Sequence, residues 1–142
     1  MKNKFLIKAL CLACVMLSLF SIESCGKYEE GPSFTLRSKK ARAVNNWKLD
    51  KVYDANGTDI TQATTYGLEF DMDIADDNTY VFLLDGATFD TGTWDFSDDK
   101  MQIIFTSNDP NTTITPTTII KLENNEYWDR DDTGVEYHYV TK

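Results

Sequence analysis

The stretch Leu68-Glu69-Phe70-Asp71-Met72-Asp73-Ile74 puts four apolar residues on one parity and three carboxylates on the other. Successive side chains of a strand point to opposite faces, so this segment predicts a strand with one face on a core and one in water. No window after Val44 sustains a helical apolar period; short alternating runs separated by Asp, Asn and Gly dominate instead.

Eight strands are expected, at about 46–53, 68–74, 79–84, 91–96, 101–106, 115–122, 126–130 and 135–141. Asn56-Gly57 and Asp85-Gly86 supply positive φ cheaply at turns. Asp76-Asp77-Asn78, Ser97-Asp98-Asp99, Asn124-Asn125 and Asp131-Asp132-Thr133-Gly134 read as short polar hairpins. Pro116 lies at a strand start, where its missing donor does least harm. The one long connection, 57–67, is rich in threonine. Tight turns favour antiparallel neighbours in chain order. The expected fold is all-β: a small eight-stranded antiparallel up-and-down barrel, whose closure removes both sheet edges. The runner-up is an open meander or a two-sheet sandwich.

The N-terminus reads differently. Lys2, Lys4 and Lys8 precede an apolar run from Ala9 to Ile22 broken only by Ser18 and Ser21. Such a run is too short to span a bilayer, which takes about 20 apolar residues, and fits a signal peptide over residues 1–24. A membrane span beginning at Phe5 would bury Lys8 and stop at Glu23. Ile22-Glu23-Ser24-Cys25 resembles a bacterial lipobox, with an aliphatic residue three before the cysteine and a small one just before it. The resemblance implies that Cys25 becomes an acylated N-terminus inserted in membrane lipid; the other reading is a free thiol on an exposed tail. Cys11 and Cys14 leave with the signal, so no internal disulfide can form. Lys27-Tyr28-Glu29-Glu30 resembles the surface-export signal of Bacteroidetes lipoproteins, or is an ordinary solvated linker.

Charge then divides the rest of the chain. Residues 25–42 carry five basic and two acidic side chains, and residues 43–142 carry six basic and twenty acidic ones. Residues 25–43 are therefore expected to be a lipid anchor and flexible tether, ahead of a barrel domain over 44–142. Arg37, Lys39, Lys40 and Arg42 can meet lipid headgroups or fold back onto the acidic domain, and Ser38 to Val44 can form one helical turn capping the barrel end. The acidic balance excludes nucleic acid as a partner, because phosphate neutralisation needs clustered Lys and Arg.

Asn46-Trp47-Lys48-Leu49, Asp77-Asn78-Thr79-Tyr80 with Phe82, Gly92-Thr93-Trp94 with the segment through Ile103, and Ile120-Lys121-Leu122 with Glu126-Tyr127-Trp128 together resemble lipocalin-like domains of Bacteroidetes lipoproteins. The resemblance spans about residues 44–140. It implies a lipocalin-like barrel in the cell envelope, at the outer membrane, and ligand binding by analogy.

Aromatic residues mostly share parity with apolar neighbours. They read as a lined pocket for a small apolar or glycan ligand, or as a filled core, since an eight-stranded barrel is just wide enough for its own side chains or one small ligand. Tyr66, Phe82, Trp94 and Trp128 are the candidate ligand contacts, with the mouth near Tyr66 and the 57–67 connection favoured. The alternative is a structural or interaction lipoprotein with a solid barrel. Asp129, Asp131 and Asp132 are candidate calcium ligands, because Asp-x-Asp turns can offer the oxygens calcium takes. Their loop lacks the closing Glu of an EF-hand, having Val140 there. No phosphate loop, Ser-His-Asp ordering or metal-binding His pair appears, and the single histidine, His138, is expected to face solvent. The chain is expected to be non-catalytic.

Overall fold

The protein is described by a computed structural model over residues 28–31 and 35–142. The signal peptide expected over 1–24 and the acylation residue Cys25 lie outside the described residues.

Eight antiparallel strands form a closed barrel in chain order. They are β1 (Asn45–Tyr53), β2 (Phe70–Ile74), β3 (Thr79–Leu84), β4 (Ala87–Phe96), β5 (Gln102–Ser107), β6 (Thr117–Leu122), β7 (Glu126–Arg130) and β8 (Glu136–Thr141). β1 pairs with β2 through its first half and with β8 along its length, which closes the cylinder. The alternation of residues 70–74 places Met72 and Ile74 in the core, against Phe82 and Tyr80 of β3. Asp85 and Gly86 both take positive φ, as a two-residue hairpin between twisted strands requires.

Bulges at Leu49/Lys51, Phe82/Leu83 and Ile119/Lys121 shift the register. An extra residue on one strand bends it and tightens its twist, which helps a short sheet curl shut. At Gly92 the wall is tightest: a Cβ there would lie 2.0 Å from the Thr106 carbonyl oxygen and 2.8 Å from the Tyr80 ring. Only glycine lets β4 and β5 approach this closely.

The two ends of the barrel differ. At the end holding Asn45 and Phe96, Trp47, Ile74, Ile103, Leu122 and Tyr127 pack with no room for a water molecule between them. A single-turn helix, α1 (Lys39–Ala43), plugs this end. Ser38 caps it by accepting a hydrogen bond from the Ala41 N–H at 3.0 Å. One turn is not stable alone. It is held by the Trp47 indole N–H donating to Ala43 O at 2.9 Å and by Arg42 Nη1 donating to Leu122 O at 2.7 Å.

Within the segment 25–43, the described residues follow the fold-back and capping turn that the sequence allows beside a tether. Tyr28 is 3% exposed, donates through its hydroxyl to Lys100 O at 3.0 Å and carries Lys39 Nζ over its ring. The Glu30 N–H donates to Ile120 O, and Arg130 meets Glu29 at 3.2 Å. Lys40 lies 3.7 Å from Asp76. The basic segment folds back onto the acidic barrel because a buried ring and a buried helical turn outweigh the chain entropy of a free linker.

Candidate functional site

The other end of the barrel is open. The connection 54–69 crosses it and contains a second short helix, α2 (Thr61–Thr65), inside the long threonine-rich connection expected over 57–67. Asp59 fixes the helix start: its Oδ1 accepts from the N–H and hydroxyl of Thr61, and Lys51 Nζ lies 2.9 Å from its Oδ2. These contacts, the Thr61 hydroxyl foremost, hold the Asp59 carboxyl far below the ordinary aspartate range. The Val52 N–H donates to Thr61 Oγ1, tying the helix to the rim of β1. Tyr66 ends the helix with a left-handed backbone, at φ 53°, and turns the chain back toward β2.

Under this connection lies a cavity of about 370 Å³. Leu49, Leu68, Phe70, Leu84, Tyr137 and Tyr139 wall it, and Thr64, Thr65 and Tyr66 roof it. The size falls in the range of small-molecule sites, and the lining is almost wholly apolar. Two large rings are exposed at this end: Tyr66 of the cavity roof is 86% exposed, and Phe89, near the start of β4 and outside the cavity lining, 68%.

A second pocket of about 210 Å³ shares Phe70, Tyr137 and Tyr139 with the first. It lies where the β5–β6 ladder stops, after the pairs Gln102–Thr118 and Ile103–Thr117. Beyond them the chain leaves the sheet as the 108–116 connection, and Phe105, Ile114, Thr115 and Thr117 line a side opening into the barrel. Asp129 of β7 forms part of its inner wall.

Asp90 and Asp129 both face the interior, and they are satisfied differently. Asp90 accepts Tyr80 Oη on Oδ2 and Ser107 Oγ on Oδ1, each at 2.6 Å. Asp129 accepts both Thr117 Oγ1 and Tyr127 Oη on Oδ2, each at 2.6 Å, and its buried Oδ1 has no partner. Burial pushes both carboxyls up. At Asp90 the Ser107 and Tyr80 hydroxyls outweigh it, and the group stays below the ordinary aspartate range. At Asp129, only 4% exposed, burial wins and the pKa stands at about 6. Burial likewise raises the Tyr127 and Tyr139 hydroxyls well above their usual range.

The four expected ligand contacts do not form one site. Tyr66 roofs the open-end cavity and Phe82 lines the adjoining side pocket. Trp94 belongs to the solid end, where its indole N–H donates to Ala75 O at 2.9 Å. Trp128 is on the outside of the barrel, because β7 turns Tyr127 and Asp129 inward. There it stacks on His138 with ring centroids 4.0 Å apart and lies under Lys121 Nζ. His138 is on the outer face as expected, yet covered by Trp128 and Tyr53 rather than free in solvent.

The expected calcium ligands do not converge either. Asp129 is turned into the barrel, whereas Asp131 Oδ1 is occupied by the Thr133 N–H, the Thr133 hydroxyl and the Val135 N–H of its own turn. Asp132 is exposed on that turn. Among the described residues no group of three His, Cys, Asp or Glu side chains is arranged to hold a metal.

The aromatic set is split between filled core and lined cavity. Trp47, Tyr127 and Tyr139 contact one another in sequence, as do Phe70, Phe82, Tyr80 and Phe105. Trp47 and Tyr127 of the first group belong to the solid end, whereas Tyr139 lines both pockets; of the second group, Phe70, Phe82 and Phe105 line the side pocket. Sequence reasoning missed Leu49, Leu84 and Asp129 as wall residues.

No protein-family model matches the chain, and no curated protein matches it. Among solved structures, it is similar to a DUF4847 family protein from Bacteroides vulgatus ATCC 8482. That likeness has a TM-score of 0.54 at 11% identity, covering 73% of this chain and 96% of that one. A protein from Burkholderia xenovorans, solved by NMR, aligns with a TM-score of 0.47 at 12% identity, over 82% of this chain and 98% of that one. At 11% identity the first likeness shows the fold alone: a closed eight-stranded barrel consistent with a lipocalin-like one.

Proposed function

We propose that this protein is an exported, lipid-anchored and non-catalytic lipocalin-like lipoprotein of the cell envelope that takes a small apolar ligand into the open end of its barrel. The cavity of about 370 Å³ beneath Tyr66 carries this reading. Its walls are hydrocarbon and ring, so desolvating an apolar ligand drives binding at about 25 cal/mol per Å² of apolar surface buried. The same walls disfavour a glycan, whose hydroxyls would lose water and find few partners. Anchoring rests on Ile22-Glu23-Ser24-Cys25 and the apolar run before it. Several acyl chains on Cys25 would hold the protein stably, where one chain binds only marginally.

Native mass spectrometry of the protein purified from its source tests both parts. A retained small molecule and an acylated Cys25 support the reading; an unmodified cysteine removes the anchor, and an empty barrel at full recovery removes the ligand. The exposed rings of Tyr66 and Phe89 favour one second reading, an envelope protein partner docking on that rim. Co-purification of a partner that Tyr66→Ser with Phe89→Ser abolishes would identify it.

A further inference from the structure

We infer that the ligand of this barrel carries a protonated amine on an apolar, ring-sized body, and that Asp129 receives the amine through the side opening between β5 and β6. The inference rests on the proposed ligand-binding reading and adds the chemical class of the ligand.

Asp90 and Asp129 are inward carboxylates built from the same parts, each with one tyrosine and one Ser or Thr hydroxyl. Asp90 distributes its donors over both oxygens. Asp129 takes both donors on Oδ2 and leaves Oδ1 buried without a partner, in a side chain that lines a pocket. A buried acceptor without a partner is costly and uncommon in a native fold. Arg42 Nε and Asp71 Oδ1 are likewise buried without a partner, and of the three residues Asp129 is the one that lines a described pocket, where a ligand can complete it.

The groups facing Asp129 point to a cation. β6 presents the Thr117 hydroxyl; β7 presents Tyr127 and Asp131; β8 presents Tyr137 and Tyr139. None of these bears a positive charge, and Asp131 adds a negative one. An ammonium group supplies both the missing donor and the missing charge, and hydrogen bonds with an ionised partner are the stronger kind. A carboxylate ligand would meet repulsion. The rings of Phe82, Phe105, Tyr137 and Tyr139 around the pocket accept the apolar body and add cation–π attraction.

The test uses the full chain and three probes of matched shape: 2-phenylethylamine, 2-phenylethanol and 3-phenylpropanoate. Affinities are measured by calorimetry at pH 7.5 and 0.15 M salt for the wild type and for Asp129→Asn, with thermal melts confirming that the variant folds. The amine is expected to bind the wild type at least tenfold tighter than the alcohol, with the propanoate weakest. Asp129→Asn is expected to erase the amine preference and keep the alcohol affinity within threefold. At pH 4.5 the wild type is expected to behave like the variant. A preference that survives in Asp129→Asn, or no preference in the wild type, overturns the inference, since the acidic surface would then account for any cation binding. If the three probes bind equally to the wild type, the cavity reading survives and the amine fails. If none binds, both fail.

Discussion

Tyr127 Oη donates to Asp129 Oδ2 at 2.6 Å across one strand turn, both residues facing the barrel interior two positions apart on β7. The bond ties a fully buried phenol to a buried carboxylate and leaves that carboxylate's second oxygen bare. The pKa of Asp129 rises from 3.8 to about 6 because burial disfavours its charge more than the two hydroxyls favour it.

This shift sets a pH dependence. A raised folded pKa means the native state holds the proton more tightly than the unfolded chain. The contribution of Asp129 to stability is therefore fully present below pH 3.8 and is lost as pH rises through 6. Two pKa units correspond to about 3 kcal/mol. Asp129→Asn is expected to be more stable than the wild type at pH 7.5 by about 2 kcal/mol, and the advantage is expected to shrink toward pH 4. Urea unfolding of both proteins at a series of pH values checks this; a pH-independent difference contradicts it.

Gly92 fixes the approach of β4 and β5. A methyl group there would overlap the Thr106 carbonyl, which is backbone and cannot swing away. Gly92→Ala is expected to lose about 3 kcal/mol or more, at the upper end for overpacking. Chemical denaturation measures it, and a loss under about 1 kcal/mol would mean the strands can part without penalty.

Lys100 sits at φ 58° in the hairpin between β4 and β5, a left-handed conformation that side chains with a Cβ resist. Its contacts with Tyr28 and Lys39 use the carbonyl and survive any side-chain change. Lys100→Gly is expected to stabilise by about 0.5–1 kcal/mol, the relieved strain being partly offset by the unfolded-state entropy of glycine. A thermal melt that falls instead of rising would contradict the strained turn.

Tyr28 holds the N-terminal segment to the barrel base. Tyr28→Ala removes a buried ring and is expected to lose about 3 kcal/mol, whereas Tyr28→Phe removes only the bond to Lys100 O and is expected to lose about 1 kcal/mol. If Tyr28→Ala unfolds like the wild type, the segment is a free tether after all.

The eight strands were legible because alternation and turn residues agree along most of the chain. Where a bulge breaks the alternation, legibility ends. β4 begins at Ala87, four residues before its expected start, because the shift at Phe82/Leu83 moves Thr88 opposite Leu83 and spoils the period. An oily ring normally shares the core face, which makes Trp128 read as a pocket residue. Asp129 reverses that parity by facing in, and nothing in composition announces a carboxylate held by Thr117 and Tyr127. The N-terminal segment has no period to read. Its place is set by long-range contacts such as Tyr28 to Lys100. The open-end cavity lies beside Tyr66, but its walls come from β1, β2, β3 and β8, which only closure brings together.

Titration of isotope-labelled protein with N-phenyl-1-naphthylamine, a neutral apolar probe, followed by amide chemical shifts, tests the central claim most directly. Saturable shifts are predicted at Leu49, Tyr66, Phe70, Leu84, Tyr137 and Tyr139, with Trp47 and Trp94 at the solid end unmoved, and Leu84→Trp is predicted to abolish them. No saturation, or shifts centred on Trp128 and His138 on the outer face, would contradict a ligand-binding barrel.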